Sequence, residues 1–456
     1  MCFFTSCGNE TGEYDTLNQD ASTQDALNQA PFTQNAIEFS REALLYDYDY
    51  MWEMLEANFS ALRGIQIADY GPQIDWRRVR DAGRIRIETA PNDYFSPSCV
   101  KTLLDRTLGE FQYIGHLGVF QQGTYDFIMQ LYHDLEDDTL SVPQVFASIL
   151  SNPQSSVFYE NPGNLNNGTI DQFVEMTDEE IHMNLLYPAI SNWQEDNIAY
   201  LRIATFSFPT YRANQLAIEL LNEILSKNKD VDHLIIDVRG NGGGSISVWL
   251  EGIVFPLRSE STYVNRVGAV LDGDHNRFLW EEKLSADWYE FFPIADGHWQ
   301  NYFPYINPLY VENMDYIVSF RSEWVDSSPY ERAAFEGDIW LLIDGWGFSA
   351  TDGFVNFAKY NEFATLVGTR TNGSGGSVFG TQFIFTLPRT GVAIQYEIDM
   401  TFNIDGTINQ IIGTQPHIEI AEGEDALDFV LETIFIQRGF AFVKNGFNFY
   451  RSEAPL

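Results

Sequence analysis

The chain has 456 residues, enough for roughly three domains of ordinary size and for a large core without covalent staples. Its 26 basic and 65 acidic residues give a net charge of −39, which excludes nonspecific binding to nucleic acid and attraction to anionic membrane surfaces. The three cysteines, Cys2, Cys7 and Cys99, make neither a disulfide framework nor a metal cluster, and no stretch approaches the roughly 20 apolar residues that span a bilayer.

Taken in chain order, the first residues are Met1-Cys2-Phe3-Phe4-Thr5-Ser6-Cys7-Gly8, a small-residue-then-cysteine pattern. It resembles the end of a bacterial lipoprotein signal whose charged region is missing, which implies a lipid anchor through Cys7 and a place in the cell envelope. Residues 1–34 read as a lipoprotein-like tether, rich in Asn, Gln, Thr and Asp and without apolar periodicity. From Ala43 to Leu62 apolar and aromatic residues recur near a helical period. Further helical signals lie between Ile74 and Ile87, over Cys99 to Leu108 and over Tyr125 to Leu135. Residues 35–150 are thus expected to form a mainly helical domain, and 151–195, with Asn-Pro, Pro-Gly and Asn-Gly turns, an irregular connector.

An α/β core is expected over 196–440, followed by a tail over 441–456. Ile198 to Ala204 reads as a strand, Tyr211 to Leu225 as a helix, and Leu234 to Val238 as a short buried strand that runs into Arg239-Gly240-Asn241-Gly242-Gly243-Gly244. Residues 254–335 read as an aromatic-rich insertion with no clean period, containing His298 as a candidate substrate contact. Ile339 to Asp344 is another buried strand; Gly345 to Phe348 turns the chain, and a helix runs from Ser349 to Tyr360. Ala364 to Gly368 is a strand, Gln382 to Leu387 and Val392 to Met400 an antiparallel pair, and Glu422 to Glu432 a final helix.

Three pieces of this layout could carry chemistry. Ser349 lies at a strand-to-helix turn, where a hydroxyl is exposed beside the free N–H groups of a helix start. The same residue also fits an ordinary N-cap, because Asp352 follows three positions later. The glycines after Val238 permit positive φ and close backbone approach, so their N–H groups can converge on an oxyanion. They lack both the Walker lysine and the dinucleotide spacing. His116 stands between Gly115 and Gly118 at the mouth of a loop, a candidate base from another part of the chain. No histidine pair has metal-ligand spacing, and no cofactor is expected.

The run Leu234 to Gly244, the segment Phe348-Ser349-Ala350-Thr351-Asp352, the segment Val367 to Gly373 and the late Gly413-Thr414-Gln415-Pro416-His417 together resemble the tail-specific, C-terminal-processing serine peptidases, including the tricorn core. The resemblance implies a crotonase/ClpP-like α/β peptidase core with an N-terminal helical domain, a peptide or protein substrate, and Ser349 as nucleophile. One branch of that family activates the serine with a lysine 25 residues later; here Ser374 stands in that place. The other branch uses a histidine, for which His116 matches, and so the tricorn-like branch is expected. Gly242, Gly243 and Ala350 would supply backbone oxyanion donors. The branch's supporting glutamate falls near Asn409 or Gln410, with Asp405 close by, so Asp405, Gln410 and Ser374 are the candidate supports. A neutral support would stabilise imidazolium poorly. Three functions therefore stay open: a serine peptidase, an impaired peptide- or ligand-binding relative, and a serine esterase.

Overall fold

The structure is a computed structural model that describes residues 39–438 except 66–73, 112–113, 135–145, 147–148, 160–175, 259–261, 284–287, 325–334 and 381. The expected tether, Cys7 and the tail over 441–456 lie outside the described residues. The fold is mixed α/β.

Four helices of 12 residues or more open the described chain, α1 (Arg41–Asn58), α2 (Trp76–Thr89), α3 (Pro97–Leu108) and α4 (Gln122–Asp134), with the short strand β1 (Gly118–Val119) before α4. Ser40, Asp75 and Ser96 cap the first three with side-chain oxygens, accepting from Ala43, Arg78 and Cys99 N–H. β2 (Ile190–Glu195), β3 (Ile198–Ile203), helix α5 (Tyr211–Lys227) and β4 (His233–Asp237) follow. Next come β5 (Thr262–Val270), β6 (Tyr289–Pro293), β7 (Tyr316–Trp324), β8 (Asp338–Ile343), helix α6 (Ala350–Tyr360) and β9 (Thr365–Gly368). The described chain ends in β10 (Phe383–Thr386), β11 (Ala393–Tyr396), β12 (Asp399–Phe402), β13 (Ile418–Glu419) and helix α7 (Ala426–Gln437).

The central sheet has the order β13-β9-β8-β4-β3-β2, parallel throughout except at the β2 edge. Its inner strands are apolar on both faces because both faces are covered. Leu234, Ile236, Leu341 and Ile343 join the main core, which also takes residues from α5 and α6. Ile235, Trp340 and Leu342 point the other way, against Ala426, Val430, Leu431 and Ile434 of α7. The loops after β4 and β8, which hold the glycines and Ser349, emerge at the carboxyl ends of neighbouring parallel strands, the usual ligand-binding edge of such a sheet.

Two expectations about organisation change. The 151–195 stretch is not an irregular connector where it is described: it holds the helix Pro153–Tyr159, a helical run over 178–189 and β2. The aromatic stretch over 254–335 contains β5, β6 and β7, which join β12 in an antiparallel sheet ordered β12-β5-β7-β6. Thr262 to Val270 pairs residue for residue with Trp324 to Tyr316. The period was hidden because the second half of β5, Arg266 to Val270, is buried on both faces.

The third sheet, β1-β11-β10, ties the helices to the core. Asp47 of α1 accepts from the N–H groups of Arg389 and Thr390 and from Thr390 Oγ1. One buried cluster runs from Leu44 through Ile236 to Ile398, so the N-terminal helices share the core rather than enclosing their own. His275 is buried in this seam, its Nε2–H donating to Ile384 O at 3.1 Å. Burial pushes its pKa down from 6.5 to about 4. The neutral ring contributes stability that is fully present above pH 6.5 and is lost as pH falls through about 4. Between pH 7 and 5 the wild type should lose about 2 kcal/mol more than His275→Gln in urea unfolding. Parallel pH profiles for the two proteins would contradict this.

Candidate active site

Ser349 occupies the N-cap position of α6 but does not cap it: its side chain makes no cap hydrogen bond, and its backbone sits at φ 57°, ψ −126°. Positive φ at a non-glycine residue costs on the order of 1–3 kcal/mol and aims the side chain away from the helix start. The backbone is held there by Ser349 N–H donating to Gly373 O at 3.0 Å. Asp352 does not complete a capping box. It is fully buried and accepts from Thr371 Oγ1, Thr414 Oγ1, Asn409 Nδ2 and Gly375 N–H. Burial raises its pKa against those four donors.

His116 arrives from a 3₁₀ turn, Ile114–His116, in which Gly115 (φ 56°) and His116 (φ 54°) are both left-handed. Gly115 has no room for a side chain: a Cβ there would stand 2.8 Å from the Phe59 ring. Glu397 N–H donates to Gly115 O at 2.7 Å, and Gln395 Nε2 to His116 O at 3.2 Å. The turn is thereby fixed on the end of β11. His116 Nε2 lies 2.8 Å from Ser349 Oγ, and its ring packs 4.7 Å from Phe348.

Behind the ring stands Glu397, which sequence reasoning missed. Its Oε1 is 2.7 Å from His116 Nδ1, and its side chain is 1% exposed, against 11% for the imidazole. A carboxylate so placed fixes the tautomer with the proton on Nδ1, leaving Nε2 to accept from the serine. Gln410 donates through Nε2 to Glu397 Oε2 at 3.0 Å, while its Oε1 accepts from Thr401 N–H at 3.0 Å. Gln410 thus braces the glutamate instead of contacting the histidine.

The other two support candidates do not reach the ring. Asp405 is exposed and accepts from Thr407 N–H and Oγ1 within its own turn. Ser374 is buried at φ 60°, and its hydroxyl has no hydrogen-bond partner among the described residues. His298 lies in the short helix His298–Asn301 and is exposed. The group behind His116 is therefore a carboxylate, Glu397, that was not among the three candidates.

The glycine loop lies directly against the serine. A Cβ on Gly243 (φ 108°) would meet Phe348 O at 2.7 Å, Ser349 Cβ at 2.9 Å and Ala350 N at 3.2 Å. Of the three expected oxyanion donors, Gly243 N–H already donates to Asn241 Oδ1 at 2.9 Å. The N–H groups of Gly242 and Ala350 have no acceptor among the described residues and stay available. Asp237 serves structure: Arg239 and Tyr200 donate to its carboxylate, and Arg202 lies 3.2 Å away. No cluster of His, Cys, Asp and Glu among the described residues could hold a metal ion.

Residues 197–420 match the model of Peptidase family S41. An uncharacterized protein of Chlamydia muridarum (strain MoPn / Nigg) is 25% identical over 275 residues, covering 52% of this chain and 43% of that protein. The chain spans less than half the length of the curated relatives it matches. Among solved structures, mature CPAF is 14% identical with a TM-score of 0.46, over 83% of this chain and 92% of that one. The photosystem II D1 C-terminal processing protease is 10% identical with a TM-score of 0.36, over the same shares of each chain. The matched span contains Ser349, the glycine loop, Glu397 and Gln410, whereas His116 comes from outside it. This chain carries a peptidase family S41 domain.

Proposed function

We propose that this protein is a serine peptidase that cleaves peptide bonds through an acyl-enzyme on Ser349. The observation that carries this reading is the chain of contacts from Ser349 Oγ to His116 Nε2 (2.8 Å) and from His116 Nδ1 to Glu397 (2.7 Å). Ser349 Oγ attacks the scissile carbonyl as its proton moves to His116 Nε2. The tetrahedral oxyanion is received by the Gly242 and Ala350 N–H groups, and Glu397 stabilises the imidazolium through Nδ1–H. Nε2–H then protonates the leaving amine as the C–N bond breaks, leaving an ester on Ser349. Water, deprotonated by the same nitrogen, attacks that ester and releases the carboxylic acid product.

An impaired ligand-binding relative was suggested by the missing family lysine and by the weak support for the histidine; the Glu397 contact speaks against the second ground. Ester hydrolysis would use the same groups. The test is incubation with unfolded casein and with matched peptide and ester substrates, read by mass spectrometry. Wild type is expected to cut the peptides, and His116→Ala to be slower by about 10⁶-fold at an unchanged melting temperature. Ester cleavage alone would replace the peptidase reading by the esterase. Full activity in His116→Ala would place the base elsewhere.

A further inference from the structure

The glycine loop reaches the serine, yet glycines alone do not fix where a loop stops. One fully buried side chain, Asn241, joins the loop to two neighbours at once. Its Nδ2 donates to Ile203 O at the end of β3 (3.2 Å). Its Oδ1 accepts from Gly243 N–H (2.9 Å) and from Thr351 Oγ1 (2.7 Å), the latter in the first turn of α6 and equally buried. A single amide oxygen therefore holds the two backbone segments that flank the reacting hydroxyl. The loop's outer end is anchored separately, by Gly240 N–H on Asp344, whose Oδ1 also accepts from Trp346 N–H.

We propose that Asn241 and Thr351 are positioning residues for the oxyanion pocket, setting the distance between the Gly242 N–H and the Ala350 N–H across Ser349. The inference rests on the serine-hydrolase reading above. Oxyanion stabilisation falls off when a donor is displaced by a fraction of an ångström, because the donors must be preorganised for charge that appears only in the transition state. Without the Thr351 hydroxyl, Asn241 would still hold Gly243 and Ile203, but the loop would lose its tie to α6. Asp344 and the bridge between Phe206 and Gly244 would keep the loop folded.

The experiment is the concentration dependence of phosphonylation by a fluorophosphonate probe, which separates kinact from KI and needs no natural substrate. Thr351→Val keeps the shape and removes the hydroxyl. It should lower kinact by about 10- to 100-fold, with KI within about threefold and the melting temperature little changed. Thr351→Ser, which restores the hydroxyl and drops the methyl, should label within about threefold of wild type. A purely packing role would give the reverse, with serine impaired and valine normal, and would overturn the proposal, as would equal kinact in all three proteins. If the valine variant does not fold, Thr351→Ala compared with Thr351→Ser reads the same hydroxyl. A wild type that neither labels nor cleaves overturns the hydrolase reading itself, a result distinct from an active wild type indifferent to Thr351.

Discussion

Ser349→Ala is expected to reduce peptide cleavage to a small residue of the wild-type rate while leaving the fold intact. The alanine removes the only atom that would bond to substrate, so no acyl-enzyme forms, and His116 and the oxyanion donors are left with nothing to activate. Losing the nucleophile of such a triad costs on the order of 10⁶-fold in kcat, about 8 kcal/mol of transition-state stabilisation. The stability effect should be small and of either sign. Ser349 gives its hydroxyl to His116 and not to the helix, so no cap is lost, and its backbone hydrogen bond to Gly373 remains. The check is peptide turnover followed by mass spectrometry beside a thermal melt. Turnover within tenfold of wild type would remove Ser349 from the chemistry.

The second large effect is expected at Glu397. Glu397→Gln keeps the size and removes the charge, and its neighbours dictate which way the new amide points. Gln410 presents Nε2–H to this side chain because its own Oε1 is held by Thr401 N–H. The oxygen of the introduced glutamine must therefore face Gln410, and its NH₂ must face His116 Nδ1. That donor forces the imidazole proton onto Nε2, the nitrogen that has to accept from Ser349. Rate should fall about 10⁴-fold from the wrong tautomer and the unsupported imidazolium. Folding stability should be unchanged or higher, since a buried charge disappears. Kinetics and urea unfolding on the same preparation separate the two: a large loss of rate with no loss of stability is predicted. A variant as active as wild type would show that Glu397 is only structural.

Much of the α/β core was legible because its signals are local. A buried parallel strand such as Leu234 to Val238 must be a continuous apolar run, and a glycine cluster after it must turn. Ser349 was visible as a residue at a strand-to-helix turn, but its role was not: cap and nucleophile use the same residue types, and only the positive φ and the absent cap bond separate them. The insertion resisted reading because β5 is sandwiched, which erases alternation. Glu397 was missed for a different reason. It is 281 residues from His116, and expectation fixed on the polar stretch near Gln410, which proved to hold the brace behind the carboxylate. A signal was present: Glu397 and Asp399 sit in a mostly apolar segment that pairs with buried strands. A carboxylate there costs several kcal/mol unless it finds a partner. Asp399 found Ser377, Thr401 and the Val378 N–H; Glu397 found the histidine.

If the Ser349 hydroxyl is the covalent nucleophile, a peptide map of the protein after saturation with a fluorophosphonate will find the label on that residue. A single phosphonyl adduct is expected, on the fragment containing Ser349, with peptide cleavage lost in proportion to its formation. An adduct at another residue, or cleavage that continues undiminished with Ser349 fully modified, would contradict that role.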